Sequence, residues 1–176
     1  APVPFSSSIY LAAEAISLFG SEAQKSFWLS RLARGEAIGT LAVAESTSDA
    51  TPESMNCSFA NGQLNGRKLI VPHGMIANIG VVVARGEDGV SMYIAELAGT
   101  NRAHVATVDP TMASASIEFP GTSAELLGVA GEGWSQLEKI YDRAAVLYAF
   151  EQIGGAQKAL DMAVAYAQER YAFGRP

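Results

Sequence analysis

Residues 59–66 read Phe59-Ala-Asn-Gly-Gln-Leu-Asn-Gly66, with Asn-Gly pairs at Asn61-Gly62 and Asn65-Gly66. Asn and Gly reach positive φ at little cost, so Asn-Gly is the strongest short-range hairpin signal. Short runs rich in Val and Ile, broken by turn residues, lie on either side. Thr40 to Ala44, Lys68 to Val71, Ile79 to Arg85 and Ser91 to Glu96 read as strands. No helical period interrupts the interval from Ile38 to Phe119. Strands at this spacing without helices between them predict an antiparallel barrel or sandwich.

Outward from this block the periodicity changes. Toward the N-terminus, Ile9, Ala12, Ala13, Ile16 and Phe19 recur at three- and four-residue steps, one face of a helix. Gly20 stops it, and Ser21 is a natural N-cap for a second helix. Phe27, Leu29, Leu32 and Ala33 supply the apolar side of that helix, and Gly35 ends it. Toward the C-terminus, Gly133 to Tyr171 contains no proline. Leu147, Phe150, Ile153, Leu160, Val164, Ala167 and Tyr171 step by threes and fours, with Gln157 filling the one gap, which predicts one long helix. Gly154-Gly155 inside it costs about 1 kcal/mol per residue relative to Ala, and close approach by another helix or a ligand is the expected return. Pro176 follows directly on this helix, whose stripe has little left to cover it. The C-terminus therefore reads as a truncation, or as a surface that a partner chain buries.

Composition narrows the function. The chain of 176 residues is 49% hydrophobic and 17% charged, a globular balance, with net charge -6. The charge and the lack of a Lys/Arg cluster exclude a nucleic-acid footprint and disfavour an anionic membrane surface. The longest apolar run, Ile76 to Ala84, is far short of a membrane span, and the N-terminus lacks the basic region of a signal peptide. The single cysteine, Cys57, forbids an intrachain disulfide and suits a reducing compartment, which predicts a cytoplasmic protein. Cys57 reads as a spectator. His73 and His104, far apart and without a carboxylate at ligand spacing, read as surface or loop histidines rather than metal ligands. Gly128 to Gly133 does not follow the dinucleotide fingerprint order, and no Gly-x-Ser-x-Gly elbow marks a hydrolase.

Five stretches, in order, resemble acyl-CoA dehydrogenases. Gly35-Glu36, Leu41-Ala-Val-Ala-Glu45 and Ser48-Asp49 are similar to a first flavin-binding segment. Gly66-Arg-Lys-Leu-Ile-Val-Pro-His-Gly74 with Ala77-Asn78 is similar to the second. Ile117-Glu-Phe119, Leu127-Gly128 and Gly131-Glu-Gly-Trp134 resemble the end of the β domain. Gly154-Gly155-Ala-Gln-Lys-Ala-Leu160 and Tyr166-Ala-Gln-Glu-Arg170-Tyr-Ala-Phe-Gly-Arg-Pro176 resemble the first C-terminal helix. Arg170 followed by Phe173-Gly174 is the most specific of these. The resemblance covers nearly the whole chain and corresponds to the middle half of a family member.

The resemblance implies an α+β fold. Residues 1–36 would end an N-terminal helical domain, 37–130 would form the central β domain, and 131–176 would begin a C-terminal four-helix bundle. It implies FAD between barrel and bundle, α,β-dehydrogenation of an acyl-CoA thioester in β-oxidation of fatty acids, electron transfer to an electron-transfer flavoprotein, and assembly as a dimer of dimers. By position, Leu41, Val43, Ala44, Ser48, Ile70, Val71, Pro72, Arg170 and Phe173 are implied to hold the cofactor. Ser48, Asp142 and Arg143 are implied at the substrate. The catalytic glutamate falls in none of these segments. A guanidinium such as Arg170 suits a diphosphate because its planar fork donates two parallel bonds. Taken alone, Arg170 would be a solvated helix-end charge and Ser48-Asp49 an ordinary loop pair.

Several positions depart from the family pattern. Leu41 and Ala44 stand where an aromatic residue and a threonine are usual. Glu45-Ser-Thr-Ser-Asp49 is two residues short. Ile70-Val71-Pro72 replaces Trp-Ile-Thr, which removes a hydroxyl and, at Pro72, a backbone donor. Ala145 replaces the arginine expected after Asp142, with Arg143 nearby. These departures suit a divergent enzyme or, alternatively, a non-catalytic subunit that completes the flavin site of a partner. A plain β-barrel binding module is a third reading, disfavoured by the long helix and the Phe-Gly motif.

Overall fold

The computed structural model describes residues 3–109, 113–171 and 173–174. The first helix, α1 (residues 6–19), opens with wide π-type turns over Ser6–Ala13 and tightens to α-helix over Glu14–Phe19. Its buried face is Leu11, Ala12, Ala15 and Ile16, turned slightly from the expected face, with Ile9, Ala13 and Phe19 at its margin. Gly20 leaves the helix in extended conformation. Ser21 then caps α2 (residues 22–33), accepting from Gln24 N at 3.2 Å while Gln24 Oε1 accepts from Ser21 N at 3.0 Å. This reciprocal pair satisfies two of the backbone donors left free at a helix start. Trp28 and Leu32 form the buried side of α2. Phe27, expected inward, is exposed, and the Arg31 guanidinium lies 4.1 Å from its ring centroid. The inward place belongs to the larger Trp28. Gly35, at φ +69°, ends the helix as read.

The sheet has seven strands: β1 Gly39–Ala42, β2 Ser58–Ala60, β3 Gln63–Pro72, β4 Ile79–Gly86, β5 Gly89–Glu96, β6 Asn101–Val105 and β7 Ser114–Leu127. Five of them close a ring, β4-β2-β3-β7-β5 and back to β4, with β1 beside β4 and β6 beside β7. Asn61 and Gly62, at φ +51° and +77°, make the tight β2–β3 turn. The second Asn-Gly pair makes no turn. It lies inside β3 at a register shift, where Gly66 has φ +135° and a Cβ would fall 2.8 Å from Cys57 Cα. The extra residue of this bulge is on β7, where Gly121 at φ +73° has no partner between Pro120 and Thr122, while Gly66 is glycine because the Cys57 backbone approaches it. The antiparallel expectation holds for most pairings, but β1 runs parallel to β4 from Gly39↔Ile79 to Ala42↔Val82, and β2 meets β4 in the same sense at Ser58↔Arg85. The long path from β1 through the β2–β3 hairpin gives enough chain for a parallel return.

Two cores follow from strand alternation. Leu64, Val71, Val82, Ala84, Ala95, Leu97, Ile117 and Phe119 fill the ring. Ile79, Val81, Val83, Met92 and Ile94 point outward and pack against Ile16, Trp28, Leu137 and Ile140 of the helices. β4 is apolar on both sides because both are covered, which explains its unbroken run.

The long helix α3 spans Gly133–Glu169, 37 residues. A Cβ on Gly133 would lie 2.4 Å from Ser91 Cα, so only glycine lets the helix start directly against β5. Gly128 and Gly131, at φ +83° and +77°, form the preceding turn. Leu137, Ile140 and Ala144 bury the first turns. No described side chain from 149 to 169 is buried, and Phe150, Ile153, Leu160 and Val164 form an exposed apolar stripe. The close approach expected at Gly154-Gly155 is not made by any described residue within 4 Å of an added Cβ. No helix among the described residues is long and apolar enough to cross a membrane.

Candidate functional site

A cleft of about 780 Å³ opens where the end of β1, the loop that follows it, the C-terminal part of β3 and α3 converge. Six of the residues singled out in the sequence line it together: Leu41, Val43, Ala44, Ser48, Ile70 and Pro72. Asp49 and Ala50 continue the loop wall, and Leu11 of α1 closes one side. Trp134, Tyr141 and Tyr148 of α3 form the opposite wall. These three aromatics were not foreseen, although their spacing of seven residues places them on one helix face, a signal the sequence does carry.

Ile70 projects into the cleft because β3 is irregular there. Its register against β7 shifts between Lys68 and Val71, and Ile70 sits at φ +55°. A β-branched residue in this left-handed region stores strain on the order of 1–3 kcal/mol, held by its surroundings. Val71 is turned the other way. It lies in the interior of the ring, not on the cleft, because after the irregularity its side chain takes the opposite face. Leu69 N donates to Ala44 O at 2.7 Å, and Thr40 Oγ1 donates to Pro72 O at 2.6 Å, so β1 and β3 are stitched together beside the cleft.

The remaining expected residues stand apart from it. Asp142 is exposed on α3. Arg143 Nε donates to Glu14 Oε2 at 2.5 Å, tying α3 to α1 instead of lining the cleft. Arg170 lies just past the far end of α3 in extended conformation, its guanidinium 5.9 Å from the Tyr166 ring centroid. Phe173, at φ +52°, is fully exposed. Within one chain the structure does not bring Arg170 and Phe173 to the strands.

Beneath the cleft lies a buried ion pair. Lys68 is fully buried, and its Nζ donates to Glu45 Oε1 at 2.7 Å and Val43 O at 2.9 Å. Glu45 also accepts from Asn56 N at 2.7 Å and Cys57 N at 2.9 Å. Burial pushes the Glu45 carboxyl up, but these donors outweigh it and hold it below its ordinary value. Burial pushes the Lys68 ammonium down against the pull of Glu45. The Cys57 thiol is raised to about 11 by burial, which makes it a poor nucleophile.

Of the two places expected for His73, surface or loop, it takes the loop, in the turn after β3, but it is not on the surface. It is buried, with Nδ1 3.0 Å from Ser7 Oγ, its backbone at φ +52°, and burial pushing its imidazole down. It joins the end of β3 to α1. His104 is exposed on β6.

No family model matches the sequence. The chain is 31% identical over 193 residues to (2S)-methylsuccinyl-CoA dehydrogenase of Cereibacter sphaeroides, covering 94% of this chain and 35% of that protein. Its fold superposes on butyryl-CoA dehydrogenase of Megasphaera elsdenii with TM-score 0.85 at 26% identity, over 97% of this chain and 49% of that one. The chain belongs to the acyl-CoA dehydrogenase family. A glutaryl-CoA dehydrogenase of Mycobacterium smegmatis, solved in complex with FADH2, matches this acyl-CoA dehydrogenase chain with TM-score 0.84 at 26% identity, over 97% of this chain and 47% of that one. The chain thus spans about half the length of these two structures, and less of the methylsuccinyl-CoA enzyme.

Proposed function

We propose that the protein carrying this chain binds FAD at the cleft and dehydrogenates an acyl-CoA thioester between Cα and Cβ, passing electrons to an electron-transfer flavoprotein. The observation that carries this reading is the convergence of Leu41, Val43, Ala44, Ser48, Ile70 and Pro72, from two separate sequence segments, on one cleft. The residues fit the group. An isoalloxazine has apolar faces and a polar edge. Leu41, Ile70, Trp134 and Tyr141 offer apolar walls, and Ser48 and Asp49 a polar rim. When bound, the flavin would accept the hydride, which is the cofactor's own chemistry.

This chain's residues would bind, orient and exclude water. Ile70 and Leu41 would cover the ring, and Ser48 would offer a hydroxyl from the loop. Arg170 and Phe173, remote from this cleft, would serve a diphosphate bound mainly by a second copy in a dimer of dimers, and Asp142 and Arg143 would lie toward the CoA. The proton-abstracting glutamate would come from outside these residues. We further assign residues 1–36, 37–130 and 131–176 to three domains and the protein to fatty-acid β-oxidation in the cytoplasm, where a buried free thiol at Cys57 is stable.

A second reading, a non-catalytic subunit completing a partner's flavin site, is favoured by one observation: Ala44 and Pro72 line the cleft without the hydroxyls usual there. Visible absorbance and an acyl-CoA-coupled dye assay on the complete purified protein decide between them. A yellow protein that reduces the dye supports the enzyme. A colourless one active only with a second polypeptide supports the subunit.

A further inference from the structure

We infer that Glu45 and Lys68, neither of which lines the cleft, are positioning residues whose buried pair fixes the two cleft walls and so governs affinity for FAD; this rests on the flavin reading above. The walls come from separate segments, the loop after β1 and the irregular stretch of β3. The Lys68 ammonium joins them, bonding Val43 O on one wall from the residue two before Ile70 on the other. The Glu45 carboxylate closes the loop on itself. It accepts from Asn56 N and Cys57 N at one end while starting the excursion that carries Ser48, Asp49 and Ala50 to the cleft.

A fully buried ammonium is costly unless its partners are well placed, and a hydrophobic pair of like volume would stabilise the fold as well or better. Stability alone therefore does not account for the pair. What an apolar replacement could not supply is direction: charge-assisted bonds to a named carbonyl and two named amides set backbone positions to within a fraction of an ångström. Ile70 at φ +55° needs such a frame, because its own conformational preference would relax the wall.

The test uses the complete flavin-loaded protein and the variants Glu45→Gln, Lys68→Met and the double variant. The readouts are the FAD dissociation constant from released-flavin fluorescence, the position of the bound-flavin absorption band, and the melting temperature of the apoprotein. Glu45→Gln leaves the Lys68 ammonium without its counter-charge, so it is expected to melt lower as well as to weaken FAD by about tenfold or more, the scale of one charge-assisted hydrogen bond, and to shift the band. Lys68→Met alone strands a buried carboxylate and is expected to fold poorly. The double variant strands none, so its apoprotein should melt near the parent while its FAD affinity stays low. If the folded variants hold FAD with the parent's affinity and spectrum, and differ only in melting temperature, the inference is overturned and the pair is structural. A parent that binds no FAD overturns the proposed function itself, and this inference with it.

Discussion

The two halves of α3 have the same helical geometry and much the same apolar content, yet opposite fates. Residues 133–148 begin against the β5 backbone, bury Leu137, Ile140 and Ala144, and set Trp134, Tyr141 and Tyr148 in the cleft wall. The Tyr148 ring meets Tyr10 of α1 edge-on at 5.3 Å. Residues 149–169 bury nothing, although Phe150, Ile153, Leu160 and Val164 carry on the stripe. An apolar period therefore marks where a helix can be covered, not what covers it. The near half gets its partners from strands and from α1. The far half presents a surface of the kind that marks a packing interface.

Substitutions separate the halves, and the largest effect belongs to the near one. Ile140→Ala removes a fully buried side chain from the outer core and should cost about 2–5 kcal/mol in urea unfolding of this chain. Disruption of the α1 joint should come next. The imidazole of His73 lies below its ordinary 6.5, so the unfolded chain takes up the proton first as pH falls. Stability should be full above pH 6.5 and fall below it, and His73→Asn, which tolerates positive φ, should flatten that slope between pH 7 and 5. Denaturation midpoints across that range would check it; an unchanged slope would remove the joint from the account. Ser21→Ala deletes the α2 cap and should lower stability by about 1 kcal/mol. Smallest of all, Phe150→Ser should move the urea midpoint of this chain by less than about 0.5 kcal/mol equivalent. A loss comparable to that of Ile140→Ala would mean the far stripe is covered after all, and the contrast between the halves would fail.

Legibility in the sequence followed the strength of local signals. Ser21, Gly35 and Asn61-Gly62 announce a cap, a stop and a turn by chemistry that needs no tertiary help. β4 and β5 stand out because their residues are β-branched or aromatic and apolar. β7 is not among the strands legible in the sequence, where its Ile117-Glu-Phe119 stretch stands out only through the family resemblance. It is built from Ser114, Ser116, Pro120 and Gly121, and its place is set by pairing with β3, β5 and β6 rather than by propensity. Six cleft residues were reached through family motifs, not through periodicity, since a loop wall has none. Lys68 and His73 were hidden for a different reason. Polar side chains read as solvated until a partner distant in sequence, Glu45 or Ser7, is folded against them. The helix is legible from Gly133, but its apolar period is clearest from Leu147 onward, and nothing local marks Trp134, Tyr141 and Tyr148 as facing a cleft rather than a core.

Ile70 holds its left-handed place in β3 at φ +55°. A branched side chain held on a backbone that resists it has few rotamers open, and the ladder bonds on either side leave it no easy swing. This part of the cleft wall is thus held between two paired positions, Lys68↔Ile117 and Val71↔Ala115. On the flavin reading proposed above, a planar guest would meet a wall already set, and less ordering entropy would be lost on arrival. Glycine at this position would relax the chain and soften that wall.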